Sequence, residues 1–495
     1  LNKVNKKLNS QNRPGRNGSR NAIILPPDQD TVRLSFKDYL DYAANFAMMV
    51  KNVSVSYSQN HGTVLPGFSP KPGFFGQDWS QLAPGIPFAL GVQNLGIDTI
   101  SGDNGWLTSD TTLNQYSRNN NSETLNLRST VEPFKGFRVE LTASRINSEN
   151  TQSIFRTNSF GDYQSYNPIE NGSYSVSFIS WNTAFISDFE DHSSQTFQDF
   201  RNNRIIIANR LADLNPNPNP IDSTGFPLGY QETSDEVLIS SFLAAYAGKD
   251  PNKVSLNKFP KIPLPNWRIN YDGLKNLKWF SKRFKTITMS HSYRSTYSVG
   301  SYVTNLDYQD FDRDGWADQV NDATNNYFNQ YEFNQVTLRE SLSPLFKLDM
   351  TLKNSVLARV EIKKDRTLTL GLSNNQLTER STSELIIGSG YRLKDLSFNV
   401  RAAGKQTQVK SDLDIKLDFS IRTNKVVIRQ LVENLEEITG GNSVFSLKLT
   451  TDYVVSSRLN LRLFYDRVFT NPYVSSSFQS AVSNGGFSIR FTLAQ

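Results

Sequence analysis

From about residue 120 to the end of the chain, apolar and polar side chains alternate almost one by one. Phe137, Val139, Leu141 and Ala143 share one face, with Arg138, Glu140 and Thr142 on the other. Ile287, Met289, Tyr293, Tyr297 and Val299 likewise oppose Thr288, Ser290, Ser292, Arg294 and Ser298. The clearest run is Leu413, Ile415, Leu417, Phe419 and Ile421 against Asp412, Asp414, Lys416, Asp418 and Arg422. Similar runs follow at Phe445 to Val455, Leu459 to Tyr465 and Phe487 to Leu493. A period of two is that of an extended strand, whose successive side chains point to opposite faces. A face carrying Asp412, Asp414, Lys416, Asp418 and Arg422 belongs in water, so each such strand has one wet and one apolar side.

The pattern predicts on the order of 14 strands of about 8 to 14 residues, longer than the usual 5 or 6 of a soluble sandwich. Tight polar turns are expected at Lys353-Asn354, Lys363 to Arg366 and Ser456-Ser457, with longer loops over 423–442 and 467–484. Short turns on one rim, long loops on the other and alternating strands are the signature of a transmembrane β-barrel. A soluble sandwich or solenoid with one wet face per sheet gives the same alternation and stays open as an alternative. Gly388-Ser389-Gly390 lacks the third glycine of a dinucleotide fingerprint and reads as a strand-end turn.

Helical spacing precedes the series once and interrupts it twice. Phe36, Tyr39, Leu40, Ala43, Phe46, Ala47 and Val50 predict an amphipathic helix over 31–50. Ser234 to Gly248 predicts a second helix that Gly248 can cap, following an Ile205-Ile206-Ile207 run and an Asn-Pro repeat over 215–220. Val427, Leu431, Leu435 and Ile438 suggest a short helix over Val426–Ile438. The domain plan is therefore a linker or loop over 1–30 and an amphipathic helix with an irregular Gly/Pro-rich segment over 31–120. Barrel strands follow over 121–204, then an inserted loop domain or lumen-filling element over 205–265, and barrel strands over 266–495.

Composition sharpens this picture. Only 37% of residues are hydrophobic while 12% are aromatic, which suits strands that bury every second residue and argues against disorder. With no cysteine, disulfides, thiol nucleophiles and cysteine-ligated metals are absent. The three histidines, His61, His192 and His291, are scattered and read as structural. A net charge of +6, with basic residues dispersed among acidic ones, is a weak footprint for nucleic acid, and no nucleic-acid partner is expected. The N-terminus, Leu1-Asn2-Lys3-Val4, opens no apolar leader segment and reads like the start of a fragment. The apolar helical run Val237 to Ala247 is about half of what crosses a bilayer as a helix, a limit that leaves closed β-barrels untouched.

Candidate chemistry is sparse. Asp310, Asp312, Asp314 and Gly315 match the opening of a calcium loop, with Asp318 at the ninth position. Asn321 replaces the bidentate Glu of an EF-hand, so the expectation is a weaker calcium loop, and a structural calcium ion is the one cofactor suggested. No catalytic string occurs, and no enzyme activity is expected. Asp412 and Asp414, two apart on one strand, could serve as a carboxylate pair, but their setting reads as a hydrated wall, as do Lys416, Asp418 and Arg422. In the last strand, Asn484, Gly486, Ile489 and Phe491 follow the polar-x-Gly-x-x-apolar-x-aromatic spacing, which resembles the C-terminal signal of outer-membrane barrel assembly.

Several strings carry a family resemblance: Gly62-Thr63-Val64-Leu65-Pro66-Gly67, Leu264 to Leu274 (LPNWRINYDGL), Leu372 to Glu379 (LSNNQLTE) and Ile387-Gly388-Ser389-Gly390-Tyr391. The chain resembles, over most of its length, the C-terminal part of the SprA (Sov) family, the outer-membrane translocon of the Bacteroidetes type IX secretion system. The resemblance implies an all-β fold, a transmembrane antiparallel β-barrel of which this chain is the C-terminal portion of a very large barrel, with loop insertions containing short helices. It implies a passive protein-conducting channel in the bacterial outer membrane, needed for gliding motility in some members. The implied partners are outer-membrane lipid, a PorV-type barrel protein, a periplasmic plug protein and secreted cargo with C-terminal secretion signals. A nutrient porin or TonB-dependent-receptor barrel, and a secreted β-rich glycan-binding protein, remain the alternatives.

Overall fold

The computed structural model describes residues 48–93, 96–186, 188–402, 405–455 and 459–492. All the strands lie in one compact unit, Met49–Gln495. They are β1 (Val50–Val64), β2 (Ser117–Phe134), β3 (Phe137–Thr157), β4 (Tyr163–Ser177), β5 (Asn266–Tyr271), β6 (Phe284–Thr304), β7 (Tyr331–Phe333), β8 (Gln335–Leu352), β9 (Val356–Gly371), β10 (Gln376–Ala402), β11 (Lys405–Gln430), β12 (Leu435–Val454), β13 (Leu459–Pro472) and β14 (Ser480–Phe491). The helices are α1 (Ile86–Ala89), α2 (Ile97–Asp103), α3 (Gln195–Leu214), α4 (Asp235–Ala247) and α5 (Lys278–Arg283). The strands form one 14-stranded antiparallel sheet in the order β1-β2-β3-β4-β6-β8-β9-β10-β11-β12-β13-β14. Strand β5 bridges β3 and β6, and β7 extends β6. Strands β1 and β14 are the ends of this path, and among the described residues no ladder joins them.

The alternation predicted from sequence is the alternation of this sheet, because directly paired residues share a face. Ile421 pairs with Leu385 and Phe445, and Leu417 with Ser389 and Leu449. Their neighbours Arg422 and Asp418 pair with Glu384 and Gly388 on the opposite side. Carried across the register, one face is apolar and the other is charged.

Several expectations change. Lys363 to Arg366 is the interior of β9, where Lys363 pairs with Glu384 and Arg366 with Ser381. A polar run resembles a turn, but here its charges serve as ladder partners. The loop expected over 423–442 and the helix expected over Val426–Ile438 are a hairpin turning at 431–434, in which Val427 and Ile438 are cross-strand neighbours. Their helix-like spacing comes from folding back. Strands β13 and β14 likewise occupy most of 467–484, leaving 473–479 as loop. Gly388 and Gly390 lie inside β10, and a Cβ on Gly388 would stand 2.4 Å from an Asp418 carboxylate oxygen. The turn at Lys353-Asn354 joins β8 to β9; Ser456-Ser457 lies outside the described residues, as does the helix expected over 31–50 apart from its last three positions.

The boundaries shift too. Strands begin at Val50, inside the segment assigned to helix and irregular chain, and the first strand group ends at Ser177. Helix α3 starts at Gln195, so the excursion opens well before residue 205. Helix α4 is buried from Val237 to Ala247, as a helix apolar on every side must be. Ser234 precedes it, Asp235 and Glu236 favour its first turn, and Gly248 closes it in the left-handed conformation at φ 61°.

The excursion packs on the apolar face. Phe197, Phe200, Leu238, Ile239, Phe242 and Tyr246 meet Tyr174, Val176, Tyr297, Val299, Val336, Leu338, Leu368, Leu370 and Leu377, all of which share the face of Leu348 and Ile362 by register. A second cluster joins α3 and α4 to Trp316, Val320 and Tyr327 of the β6–β7 connection, which therefore belongs to the same subdomain. The excursion does not lie on the charged face, so it fills no space that the charged face would line. Exposed apolar positions on that side of the strands supplied the surface it needed.

Candidate functional surface: an apolar band backed by a charged face

Below the excursion, the apolar face is an uncovered band. It runs through Val53, Val55 and Tyr57; Val139 and Leu141; Ile287 and Met289; Leu348 and Met350; Val360 and Ile362; Leu385 and Ile387; Leu413 to Ile421; Leu447 and Leu449; Leu461 and Leu463; and Phe487 and Ile489. Apart from Ile287, which is buried, these side chains are partly or largely open: Leu417 is 42% exposed, Leu463 52% and Ile489 62%. Aromatic residues stand at its margins, with Phe137 and Tyr271 in contact at one edge and Trp267, Tyr293 and Trp181 clustered at the other. From Leu413 to Ile421 the band covers about 27 Å of strand. At a tilt of 35–45° that is roughly 20 Å in height, near the ~25 Å apolar belt of outer-membrane barrels.

The charged face is stitched by cross-strand and along-strand ion pairs. Arg392 donates to both oxygens of Asp414 at 2.6 and 2.9 Å. Glu384 accepts from Arg422 at 2.7 Å and Lys363 at 3.3 Å. Lys347 meets Asp349 at 2.9 Å, Arg462 meets Asp452 at 2.6 Å, and Arg359 pairs with Glu361. Asp412, Asp414, Lys416, Asp418 and Arg422 all lie on this face. Asp414 is fully engaged by Arg392 and Asp412 accepts the Asp395 N–H at 3.2 Å, so each carboxylate of the considered pair is braced by a different partner. Both signs are interspersed along this face, and part of the charge is paired locally, Asp414 with Arg392 and Arg422 with Glu384.

Above the band, two buried arginines clamp the excursion to the sheet, and sequence reading found neither. Arg429, fully buried, contacts Asp188 and Glu379 at 2.9 Å each and also pairs with Glu436. Lys425 adds a contact to Asp188 at 3.1 Å. Arg366 binds Glu340 at 2.7 Å and donates to the carbonyl and hydroxyl of Thr183. Glu340 in turn accepts from Ser180 and Tyr293. Only the alternation phase could have signalled these residues: Arg366 and Arg429 occupy apolar-face positions.

At the calcium-like loop the structure brings together Asp310, Asp312 and Asp314, with one carboxylate oxygen of each within 4.8 Å of the others. Oxygens around one calcium ion stand at most about that far apart, since each ligand lies about 2.4 Å from the metal. Asp310 accepts the N–H groups of Asp314 and Gly315 at 3.1 Å each. The Asp314 N–H also lowers the Asp312 pKa, but desolvation and the charges of Asp314, Asp318 and Asp310 together raise it above the ordinary value. Asp318 is used differently, accepting from the Phe311 N–H at 2.6 Å and the Asn217 amide at 3.3 Å. Asn321 caps its own turn through the Ala323 N–H.

The assembly-signal residues occupy β14. Asn484 and Gly486 fall on the charged face, Ile489 and Phe491 on the apolar face. A Cβ on Gly486 would stand 2.8 Å from the Phe464 ring, so glycine makes room for an aromatic on the neighbouring strand. The histidines are structural in setting: His291 accepts the Trp267 indole N–H at 3.1 Å, and the His192 carbonyl accepts from Arg429. A search against protein-family models and a search of curated proteins each found no match to this chain.

Proposed function

We propose that this chain is a wall segment of a wide outer-membrane β-barrel that passes folded proteins to the cell surface, the activity its resemblance to the SprA (Sov) translocon family implies. The observation that carries the reading is the uncovered apolar band running across successive strands, backed by a hydrated, ion-paired face. In water such a band is far larger than the few hundred Å² of apolar patch a soluble monomer tolerates. In a bilayer it is the lipid face, and the charged face lines the lumen. A wall that intersperses both signs presents no single-sign field to trap cargo of varied charge. Among the described residues β1 and β14 end the sheet, and in hydrocarbon both ends require pairing with a further strand, since an open edge has no place there. On this reading, a PorV-type barrel protein, a periplasmic plug protein and secreted cargo are the partners. Energy comes from elsewhere.

Purification of the native complex with and without detergent, mass spectrometry of co-purifying chains and low-resolution imaging test the proposal together. A detergent-dependent, very large barrel accompanied by a second barrel protein is expected. A soluble monomer of 56.0 kDa would overturn the reading, and a lone porin-sized barrel would move it to nutrient uptake.

A further inference from the structure

Where the excursion returns to the sheet, residues 257–261 pass over the upper part of β2, β3 and β4 and border a half-open cavity of about 510 Å³. Tyrosine hydroxyls hold this roof: Tyr174 donates to the Pro260 carbonyl, and Tyr297 to the Lys258 carbonyl at 3.1 Å. One side of the cavity is aromatic. Tyr174 and Phe259 stand at 74° with centroids 5.3 Å apart, Phe259 and Tyr302 at 59° and 5.3 Å, and Tyr302 and Tyr331 at 70° and 5.0 Å.

The other side is acidic. Glu123, Glu149 and Glu170 all line it, and Arg145 neutralises Glu123 at 3.4 Å. Glu170 accepts the Tyr331 hydroxyl at 2.9 Å. Among the described residues neither Glu149 nor Glu170 has an ion-pair partner, and Lys261, the remaining lining cation, sits exposed.

The rings meet at steep angles and offer no flat platform on which a sugar stacks. Aromatic faces carry the negative part of the ring quadrupole and attract a cation of low hydration. We propose that this cavity is a binding site for an organic cation, an alkylated ammonium group held against the aromatic side of Tyr174, Phe259, Tyr302 and Tyr331 and neutralised by Glu149 and Glu170. Burial, then the charges of Glu170 and Glu123, raise the pKa of Glu149 above the usual carboxylate range; a bound cation relieves that crowding. The site lies beyond the band, on β3 past Ala143, and does not depend on protein translocation.

Isothermal titration of the detergent-solubilised full chain with choline tests it, with 3,3-dimethylbutanol as the uncharged isostere. Choline is expected to bind at least about tenfold more tightly than the alcohol. Glu149→Gln should weaken choline about tenfold with unchanged circular dichroism. Tyr331→Phe, which keeps the ring, should retain binding, and Tyr331→Leu should lose it. A short peptide carrying one trimethyl-lysine distinguishes sources: tighter binding than choline assigns the cation to a polypeptide, weaker binding to a free small molecule. Equal affinity for choline and the alcohol, or no heat of binding for either cation, overturns the proposal.

Discussion

Replacing Leu417 by arginine separates a sheet that faces lipid from one that faces water. Leu417 is the middle residue of the apolar run Leu413 to Ile421, paired with Ser389 on one side and Leu449 on the other. It is 42% exposed, so in water the guanidinium of Leu417→Arg stays hydrated while its stem lies over Ser389 and Leu449. Surface changes of that kind stay within about 0.5 kcal/mol. At a bilayer midplane the same substitution costs about 2–4 kcal/mol, or roughly 30-fold to nearly 1,000-fold in the folding equilibrium. Depth supplies the internal control. Leu413 and Ile421 each lie four residues away, about 13 Å along the strand and roughly 10 Å in depth at the usual tilt. Arginine there should cost about 0–1 kcal/mol. Ser420→Arg, on the charged face beside Arg422, should change stability by less than about 0.5 kcal/mol. Guanidinium unfolding in lipid vesicles, followed by tryptophan fluorescence, gives all four values. A flat profile across 413, 417 and 421, or a Ser420→Arg cost equal to that of Leu417→Arg, refutes the lipid-facing assignment.

Three further outcomes are expected. Arg429→Met leaves Asp188, Glu379 and Glu436 without their shared cation and should destabilise the clamp by about 3–5 kcal/mol, which limited proteolysis would report as faster cleavage within residues 178–265. Burial, opposed by Lys258, pushes the Asp235 carboxyl at the start of α4 up to about 6; because the fold favours the protonated acid, stability falls as pH rises from about 4 through about 6. Asp235→Asn should remove that decline and be more stable than the native chain by on the order of 2 kcal/mol at pH 7.5, with the difference vanishing near pH 4 in denaturant titrations. The Asp310, Asp312, Asp314 loop should take up terbium with emission sensitised by the adjacent Trp316 and should release it to calcium at roughly 10⁻⁴–10⁻³ M; emission unchanged by Asp312→Asn would rule out that site.

Much of the fold is legible in the sequence because period-two alternation is a local property. Leu413 to Ile421 announces a strand and its two faces without reference to any other part of the chain. Helix α4 was equally readable, since Ser234, the acidic first turn and Gly248 bracket an apolar run. What failed depended on partners distant in sequence. The polar run Lys363 to Arg366 looks like a turn until Glu340 and Glu384 are brought beside it. Val427 and Ile438 look helical because the hairpin turn separates them by about three helical turns' worth of residues. Of the candidate site residues, the charged set from Asp412 to Arg422 was readable as a face, whereas its ion-pair partners Arg392 and Glu384 come from the neighbouring strand β10. The Arg429 and Arg366 clusters carried no signal beyond a charge at the wrong phase.

That phase is informative in a way composition is not. Along β11 the same alternate positions run Leu413, Ile415, Leu417, Phe419, Ile421, Thr423, Lys425, Val427 and Arg429. Among the described residues, the first five are covered by no segment outside the sheet; the last three lie against the excursion, through Lys425 and Arg429 to Asp188 and through Val427, which is buried. One strand face therefore has two environments, and the boundary falls near Thr423. Along β11, apolar residues occupy the stretch that no described segment outside the sheet covers, and charges enter where the excursion does, whereas on β6, β8 and β9 the excursion covers apolar residues such as Tyr297, Leu338 and Leu368. A soluble sheet places apolar residues under its own covering layers and charges where water reaches, so the uncovered run Leu413 to Ile421 is the departure from that rule. On the proposed reading, the solvent at the height of that run is apolar.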